Sequence, residues 1–225
     1  MTFEKFPRMP IDAVILDYGC VLSQAPSPAD FEPLHRASGV DSAVFHKAYW
    51  RHRDAYDLDE LDPVGYWQMF GKDAHVNFSA EQIHQLCALD CQIWQKTDPG
   101  MVEWVRLLRA EGTKTAIISN LARNLSGYLR RTAHWIDLFH HLCFSGELGM
   151  MKPHPEIFHA CLEALCVPAP RALFVDDREP NVAAARALGL HAVLFRSPEQ
   201  LQGDLHPYGL AESLANAQAR ASLCG

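Results

Sequence analysis

Ala13-Val14-Ile15-Leu16-Asp17-Tyr18-Gly19 is an apolar run that ends in a carboxylate and then turns. An apolar stretch of this length, closed by a glycine, reads as a buried strand followed by a tight turn. The carboxylate is thereby delivered to the carboxyl end of a strand, the edge at which open α/β sheets bind their ligands. Asp17 is placed there either to act as a nucleophile or to hold a cation. An aspartate that only caps the turn satisfies the same local pattern.

Outward from this run, the chain divides by pattern. The segment from Pro26 to Asp98 is helical in period and poor in strand signals. It carries Phe31, Phe45, Tyr49, Trp50, Tyr56, Tyr66, Trp67, Phe70 and Trp94. Within it, Ser79-Ala80-Glu81-Gln82 is a capping-box start for a helix bearing Ile83, Leu86, Cys87, Leu89 and Ile93. From Pro99 onward helix and strand patterns alternate. Helices are expected over Met101–Ala110, Leu121–Ala133, Pro155–Leu165 and Arg178–Leu188. Strands are expected over Thr115–Ser119, His141–Phe144, Ala172–Val175 and Ala192–Leu194. Such alternation specifies a Rossmann-like parallel sheet with helices on both faces, an α/β core. Residues 1–24 and 99–225 are expected to form that core. Residues 25–98 are expected to be an inserted helical cap over the carboxyl edge of the sheet.

Composition narrows the function classes. The chain has 225 residues, 48% of them apolar and 21% charged, within the normal range for a globular protein. Its net charge of -7 leaves no basic footprint, so nucleic acid is excluded as an expected partner. No apolar run reaches the length of a membrane span and no secretory leader is seen, so no membrane partner is expected. Seven cysteines, an odd number sitting mostly in apolar periodic segments, read as buried thiols of a reducing, cytoplasmic compartment. Cys87 and Cys91 are one helical turn apart, but no second Cys/His pair accompanies them, which favours packing over a metal.

Three further clusters repeat the placement of Asp17. Ile117-Ile118-Ser119-Asn120 ends an apolar strand in small polar residues before a helix, a natural phosphate site; either polar residue would equally serve as the helix N-cap. In Gly149-Met150-Met151-Lys152-Pro153-His154-Pro155, Lys152 is held in a rigid loop, where it can neutralise a phosphate or a carboxylate; a solvated surface lysine is the plainer reading. In Phe174-Val175-Asp176-Asp177-Arg178-Glu179-Pro180-Asn181, two adjacent carboxylates stand at a strand end. That pairing is unfavourable without a nearby cation, and an all-oxygen donor set points to Mg²⁺ rather than zinc. An acidic helix N-terminus accounts for the same residues electrostatically. Asp177 and Asn181, four apart, are expected to face one site.

In their order and strand-end placement, these four clusters resemble the motifs of the haloacid dehalogenase superfamily, most of whose members are phosphohydrolases. Asp17 matches the family nucleophile, Ser119 the Ser/Thr after the second strand, Lys152 the lysine before a later helix, and Asp176/Asp177 the acidic pair. The helical insertion matches the family's cap of the first type. The resemblance implies a Mg²⁺-dependent phosphatase of a small phosphorylated metabolite, such as a sugar phosphate, acting through an aspartyl-phosphate. It assigns Asp17 and Lys152 to catalysis, and Ser119, Asn120 and Lys152 to phosphate binding. The metal falls to Asp17, the Gly19 carbonyl, Asp176 and Asp177. Both a monomer and a homodimer are compatible with the sequence.

One position departs from that pattern. Most phosphatases of the family carry a second Asp two residues after the nucleophile, as general acid and base. Here Gly19 occupies it, keeping the carbonyl and losing the acid, a group that contributes about 10²–10⁴-fold. Three explanations compete: a substrate with a good leaving group, an acid supplied by the cap (His52, Asp54, Tyr56 or Asp57), or a weak or inactive phosphometabolite-binding member. A dehalogenase fits less well, because that branch lacks the acidic pair.

Overall fold

In the computed structural model, which describes residues 9–224 apart from the side chain of Cys224, five parallel strands form one sheet. They are β1 (Ala13–Leu16), β2 (Lys114–Ser119), β3 (His141–Phe144), β4 (Ala172–Asp176) and β5 (His191–Leu194), in the order β3-β2-β1-β4-β5. The chain moves outward in one direction from β1 through β2 and β3, then returns to the other side of β1 with β4 and β5. The topological switch point therefore lies at β1, where sheets of this kind open a ligand crevice.

The helices in chain order are α1 (Pro28–Ser38), α2 (Ser42–Arg51), α3 (Arg53–Asp57), α4 (Pro63–Ala74), α5 (Ala80–Ile93) and α6 (Pro99–Ala110). There follow α7 (Arg123–Thr132), α8 (Ser145–Leu148), α9 (Pro155–Leu165), α10 (Glu179–Ala187), α11 (Pro198–Asp204) and α12 (Ala211–Cys224). Every residue of β1 and β4 is buried, as required of a strand covered on both faces. Val14 and Leu16 pack with Trp104 of α6, Leu125 of α7 and Leu214 of α12. Ala13 and Ile15 face the other way, against Phe158 of α9 and Val182 of α10. The alternation that sends successive side chains to opposite faces thus builds two cores from one strand.

Helices α1 to α5 bury a separate aromatic core that includes Phe31, Phe45, Tyr49, Tyr56, Tyr66, Trp67 and Phe70. Tyr56 and Tyr66 stack with ring centroids 4.2 Å apart, and Phe45 meets Phe70 edge-on at 5.2 Å. The capping box at Ser79 and Gln82 starts α5 as its sequence specifies.

Element boundaries differ from the sequence expectation where side chains or tertiary contacts intervene. Helix α6 begins at Pro99 rather than Met101, because the Asp98 carboxylate caps it by accepting from the Met101 amide at 2.9 Å. Helix α7 begins at Arg123 rather than Leu121. Leu121 is held outside the helix by donating its amide to Ser145 Oγ at 2.8 Å, and neither Ser119 nor Asn120 caps α7. Helices α11 and α12 were not anticipated; the inward stripe of α12 contains small alanines, which give a weak periodic signal. Among the described residues no helix is long and apolar enough to cross a membrane.

Phe158 and Phe174 meet edge-on at 5.2 Å, both fully buried between α9 and β4. Phe158→Ala should lower unfolding stability by about 3–5 kcal/mol, from lost burial plus an unfilled cavity. A shift of less than about 1 kcal/mol in denaturant titration, on the same scale, would show that this layer collapses to fill the gap.

Candidate active site

The register of the sheet brings the first elements of the site together. Leu16 pairs with Ile117 on one side and with Val175 on the other. Asp17 and Asp176, one residue further along, and Ser119, two residues past Ile117, therefore emerge at one carboxyl edge. The Asp17 amide continues the ladder by donating to the Val175 carbonyl at 2.9 Å. Beyond Asp17 the chain makes a tight turn over Tyr18–Leu22, closed by the Ser23 amide donating to the Tyr18 carbonyl at 2.7 Å. The residue in the left-handed region of this turn is Cys20, at φ 58°, and not Gly19, which has φ -62°.

Lys152 joins these residues from the loop between α8 and α9. Its Nζ lies 2.9 Å from Asp17 Oδ1 and 2.6 Å from Asp176 Oδ2, and the residue is 2% exposed. It is therefore not the solvated lysine that its residue type suggests. Asn120 fixes the lysine's backbone with two hydrogen bonds: its Nδ2 donates to the Lys152 carbonyl at 2.9 Å, and the Lys152 amide donates to its Oδ1 at 2.8 Å. The Asn120 side chain is thus committed to holding the loop. The loop that carries Ser119 and Leu121 is backed by Gly146, where an added Cβ would lie 2.6 Å from the Arg123 nitrogen. Only glycine permits that approach.

The two carboxylates of the acidic pair differ in environment. Asp176 is fully buried and saturated. It accepts from the Arg178 amide at 2.8 Å and from Asn181 Nδ2 at 3.0 and 3.1 Å, in addition to Lys152. Asn181 thus turns to Asp176 rather than sharing a site with Asp177. Asp177 is half-buried and lines the cavity that opens above Asp17.

That cavity has a volume of about 370 Å³. Asp17, Gly19, Ser119, Asn120, Lys152 and Asp177 all contribute to its wall. The opposite wall comes from the helical insertion: Trp50, Arg53, Asp54 and Asp57, with Trp94 beyond α5. His52 is instead paired with Asp73 at 2.9 Å, and Tyr56 is buried against Tyr66; neither lines the cavity. The sequence marks Trp50 and Trp94 only as aromatics of the insertion and does not mark Arg53. The one available signal was the Arg53/Asp57 spacing of one helical turn, which the structure realises as an ion pair at 3.1 Å.

Electrostatics at the strand ends is dominated by burial. Desolvation pushes the Asp17 carboxyl upward, against the Lys152 ammonium, while Asp176 adds to the upward push. Burial opposes the charge on Lys152, but Asp17 and Asp176 together hold it above the ordinary lysine value. Asp177 is also raised, by burial and by its neighbour Asp176. Asp17, Asp176 and Asp177 each bring one oxygen to a cluster whose members lie within 4.8 Å of one another. Three carboxylates cluster about one buried ammonium that pairs with two of them, Asp17 and Asp176, so the cluster is short of positive charge. Hard oxygen donors in this arrangement fit a magnesium ion. A carboxylate beside an ammonium and a cation position has the parts that phosphoryl-group chemistry uses.

A family model described as haloacid dehalogenase-like hydrolase matches residues 32–189. The acyl-CoA dehydrogenase family member 10 of Mus musculus is 28% identical over 197 residues, covering 83% of this chain and 18% of that protein. A glyceraldehyde 3-phosphate phosphatase of Pyrococcus furiosus is 32% identical over 110 residues, covering 48% of this chain and 45% of that protein. The chain therefore spans only part of the length of these relatives, from under a fifth to just under half. In fold it is similar to a HAD family enzyme of Bacteroides thetaiotaomicron, solved in complex with magnesium and inorganic phosphate. The TM-score is 0.67 and the identity 19%, over 83% of this chain and 94% of that one. The family match extends from the first helix of the insertion to the end of α10, so the chain belongs to the haloacid dehalogenase-like hydrolases.

Proposed function

We propose that this protein is a Mg²⁺-dependent phosphatase of a small phosphorylated metabolite, a sugar phosphate being one candidate. The observation that carries the reading is the Lys152 ammonium wedged between Asp17 and Asp176 at the floor of a cavity that also exposes Asp177. The phosphatase relative and the phosphate-bound structural neighbour support it.

In this reading Asp17 attacks phosphorus in line with the leaving oxygen. A P–O bond to the carboxylate forms as the ester P–O bond breaks, giving an aspartyl-phosphate. Ser119 and Lys152 hold the phosphoryl oxygens, and Lys152 also offsets the charge that Asp17 brings to an anion. Asn120 acts one step back, fixing the loop that aims Lys152. Asp17, Asp177 and the Gly19 carbonyl are the direct holders of the metal, with Asp176 behind them. When bound, Mg²⁺ supplies charge neutralisation between carboxylate and phosphate. Residues 25–98 act as the cap, bringing Trp50, Arg53 and Asp57 over the strand ends and excluding bulk water. Gly19 favours one other reading, a binding protein without turnover, and phosphate release separates the two.

Asp17→Asn keeps the side chain's shape and removes its charge. It should reduce phosphate release over a metabolite panel by on the order of 10³-fold or more while the protein still melts cooperatively. Retained turnover in a folded Asp17→Asn protein would remove Asp17 as nucleophile.

Mg²⁺ should raise the melting temperature of the wild type by binding only the folded state. Asp177→Asn should abolish most of that rise with little effect on the metal-free melt, since among the described residues no other residue donates a hydrogen bond to its carboxylate. Asp176→Asn should itself destabilise the metal-free protein by about 3–5 kcal/mol, because it breaks a buried ion pair. An undiminished Mg²⁺ response in Asp177→Asn would place the metal elsewhere.

A further inference from the structure

Gly19 is not demanded by its backbone. At φ -62° and ψ 126° any residue is accommodated, and an added Cβ would meet only Trp94 Cζ3, at 3.9 Å. Position 19 therefore lacks an acid side chain for no steric reason, which points to another group for the task.

Beyond the strand-end cluster, two carboxylates line the cavity, Asp54 and Asp57. Asp54 is exposed to solvent, whereas Asp57 is 8% exposed. Only one of the Asp57 oxygens is engaged: Oδ1 accepts from Arg53 Nε at 3.1 Å, and no donor among the described residues reaches Oδ2. The residue is also tied to the catalytic side of the core. Ser145 Oγ donates to the Asp57 carbonyl at 2.5 Å and accepts from the Leu121 amide at 2.8 Å, two residues past Ser119. The backbone of the residue that carries this buried carboxylate is thus anchored through one hydroxyl to the loop that would hold the phosphoryl group.

We propose that Asp57, reaching in from α3, is the general acid and base of this enzyme. This rests on the phosphatase reading above. In the first step the protonated Asp57 gives its proton to the leaving oxygen as the ester P–O bond breaks and Asp17 becomes phosphorylated. In the second, the Asp57 carboxylate takes a proton from a water whose oxygen attacks phosphorus. The P–O bond to Asp17 then breaks, inorganic phosphate leaves, and Asp57 is protonated again for the next cycle. The environment suits both roles. Burial holds the Asp57 carboxyl up at about 6, opposed by the Arg53 guanidinium and reinforced by Asp90 of α5 and by Asp54 on its own helix. That is near the range in which a carboxyl can both give and take a proton.

The test compares alkyl and aryl phosphates, because an alkoxide leaving group needs protonation and p-nitrophenolate does not. Wild type should show a shallow dependence of rate on leaving-group pKa. Asp57→Asn should lose about 10²–10⁴-fold on alkyl esters and far less in the release of p-nitrophenol. Without the base it should also give a burst of p-nitrophenol approaching one per chain, with the phosphoryl group retained on the protein. Gly19→Asp placed on Asp57→Asn should restore alkyl-ester turnover, which repair of a merely structural defect would not do. Undiminished alkyl-ester turnover in Asp57→Asn would overturn the proposal, as would failure of the rescue in a folded double variant. Should Asp57→Asn not fold, the wild type decides: a steep leaving-group dependence means that no proton donor operates. If wild type releases phosphate from no ester, the phosphatase reading itself has failed.

Discussion

A single ammonium holds together what the rest of the site depends on. Lys152 Nζ lies within 3 Å of carboxylates from two adjacent strand ends, Asp17 and Asp176, and all three side chains are withdrawn from water. Charges in such a position are strongly disfavoured by desolvation, and only close pairing with further hydrogen bonds makes them tolerable. The fold supplies those bonds. Asn120 clamps the lysine's backbone, while the Arg178 amide and Asn181 saturate Asp176. Four separate segments of the chain are fixed to one another by this arrangement. The geometry that chemistry would need is built before any substrate arrives, the condition for electrostatic stabilisation without reorganisation.

The helical insertion repeats the same device on the opposite wall. Arg53 is buried with Asp57 and Asp90, its guanidinium bonded to the Tyr49 hydroxyl and set against the rings of Tyr49 and Tyr56. A charge buried among aromatic rings gains cation–π attraction where water is absent. The cavity is consequently bounded by two desolvated charge clusters, one from the sheet and one from the helices, with Trp50 and Trp94 also in the helical wall. Ser145 links the two walls through a hydroxyl that bonds both Asp57 and Leu121.

The turn after β1 shows how sequence and strain separate. Gly19 suggests a position where only glycine fits, yet the left-handed residue is Cys20. A non-glycine residue in that region is held there by its surroundings, here the Ser23 hydroxyl that accepts from the Cys20 amide at 3.1 Å. Glycine at position 19 is thus a chemical feature of the site and not a backbone requirement, an added Cβ there meeting only Trp94 Cζ3 at 3.9 Å.

What the sequence determined by itself was the fold class and the inventory of charged groups at the strand ends. Apolar runs closed by Asp17, Ser119 and Asp176, separated by helical periods, permit little but a parallel sheet, because strand periodicity and connection length are local properties. The tertiary structure decided everything that depends on relative position. It buried Lys152, a residue type that sequence assigns to the surface. It turned Asn181 toward Asp176 and moved the start of α7 past Leu121. Of four polar residues in one stretch of the insertion, it placed Asp54 and Asp57 on the cavity wall and left His52 and Tyr56 off it. None of these follows from local pattern, since each is set by which neighbours satisfy a buried charge or a backbone amide across long stretches of chain.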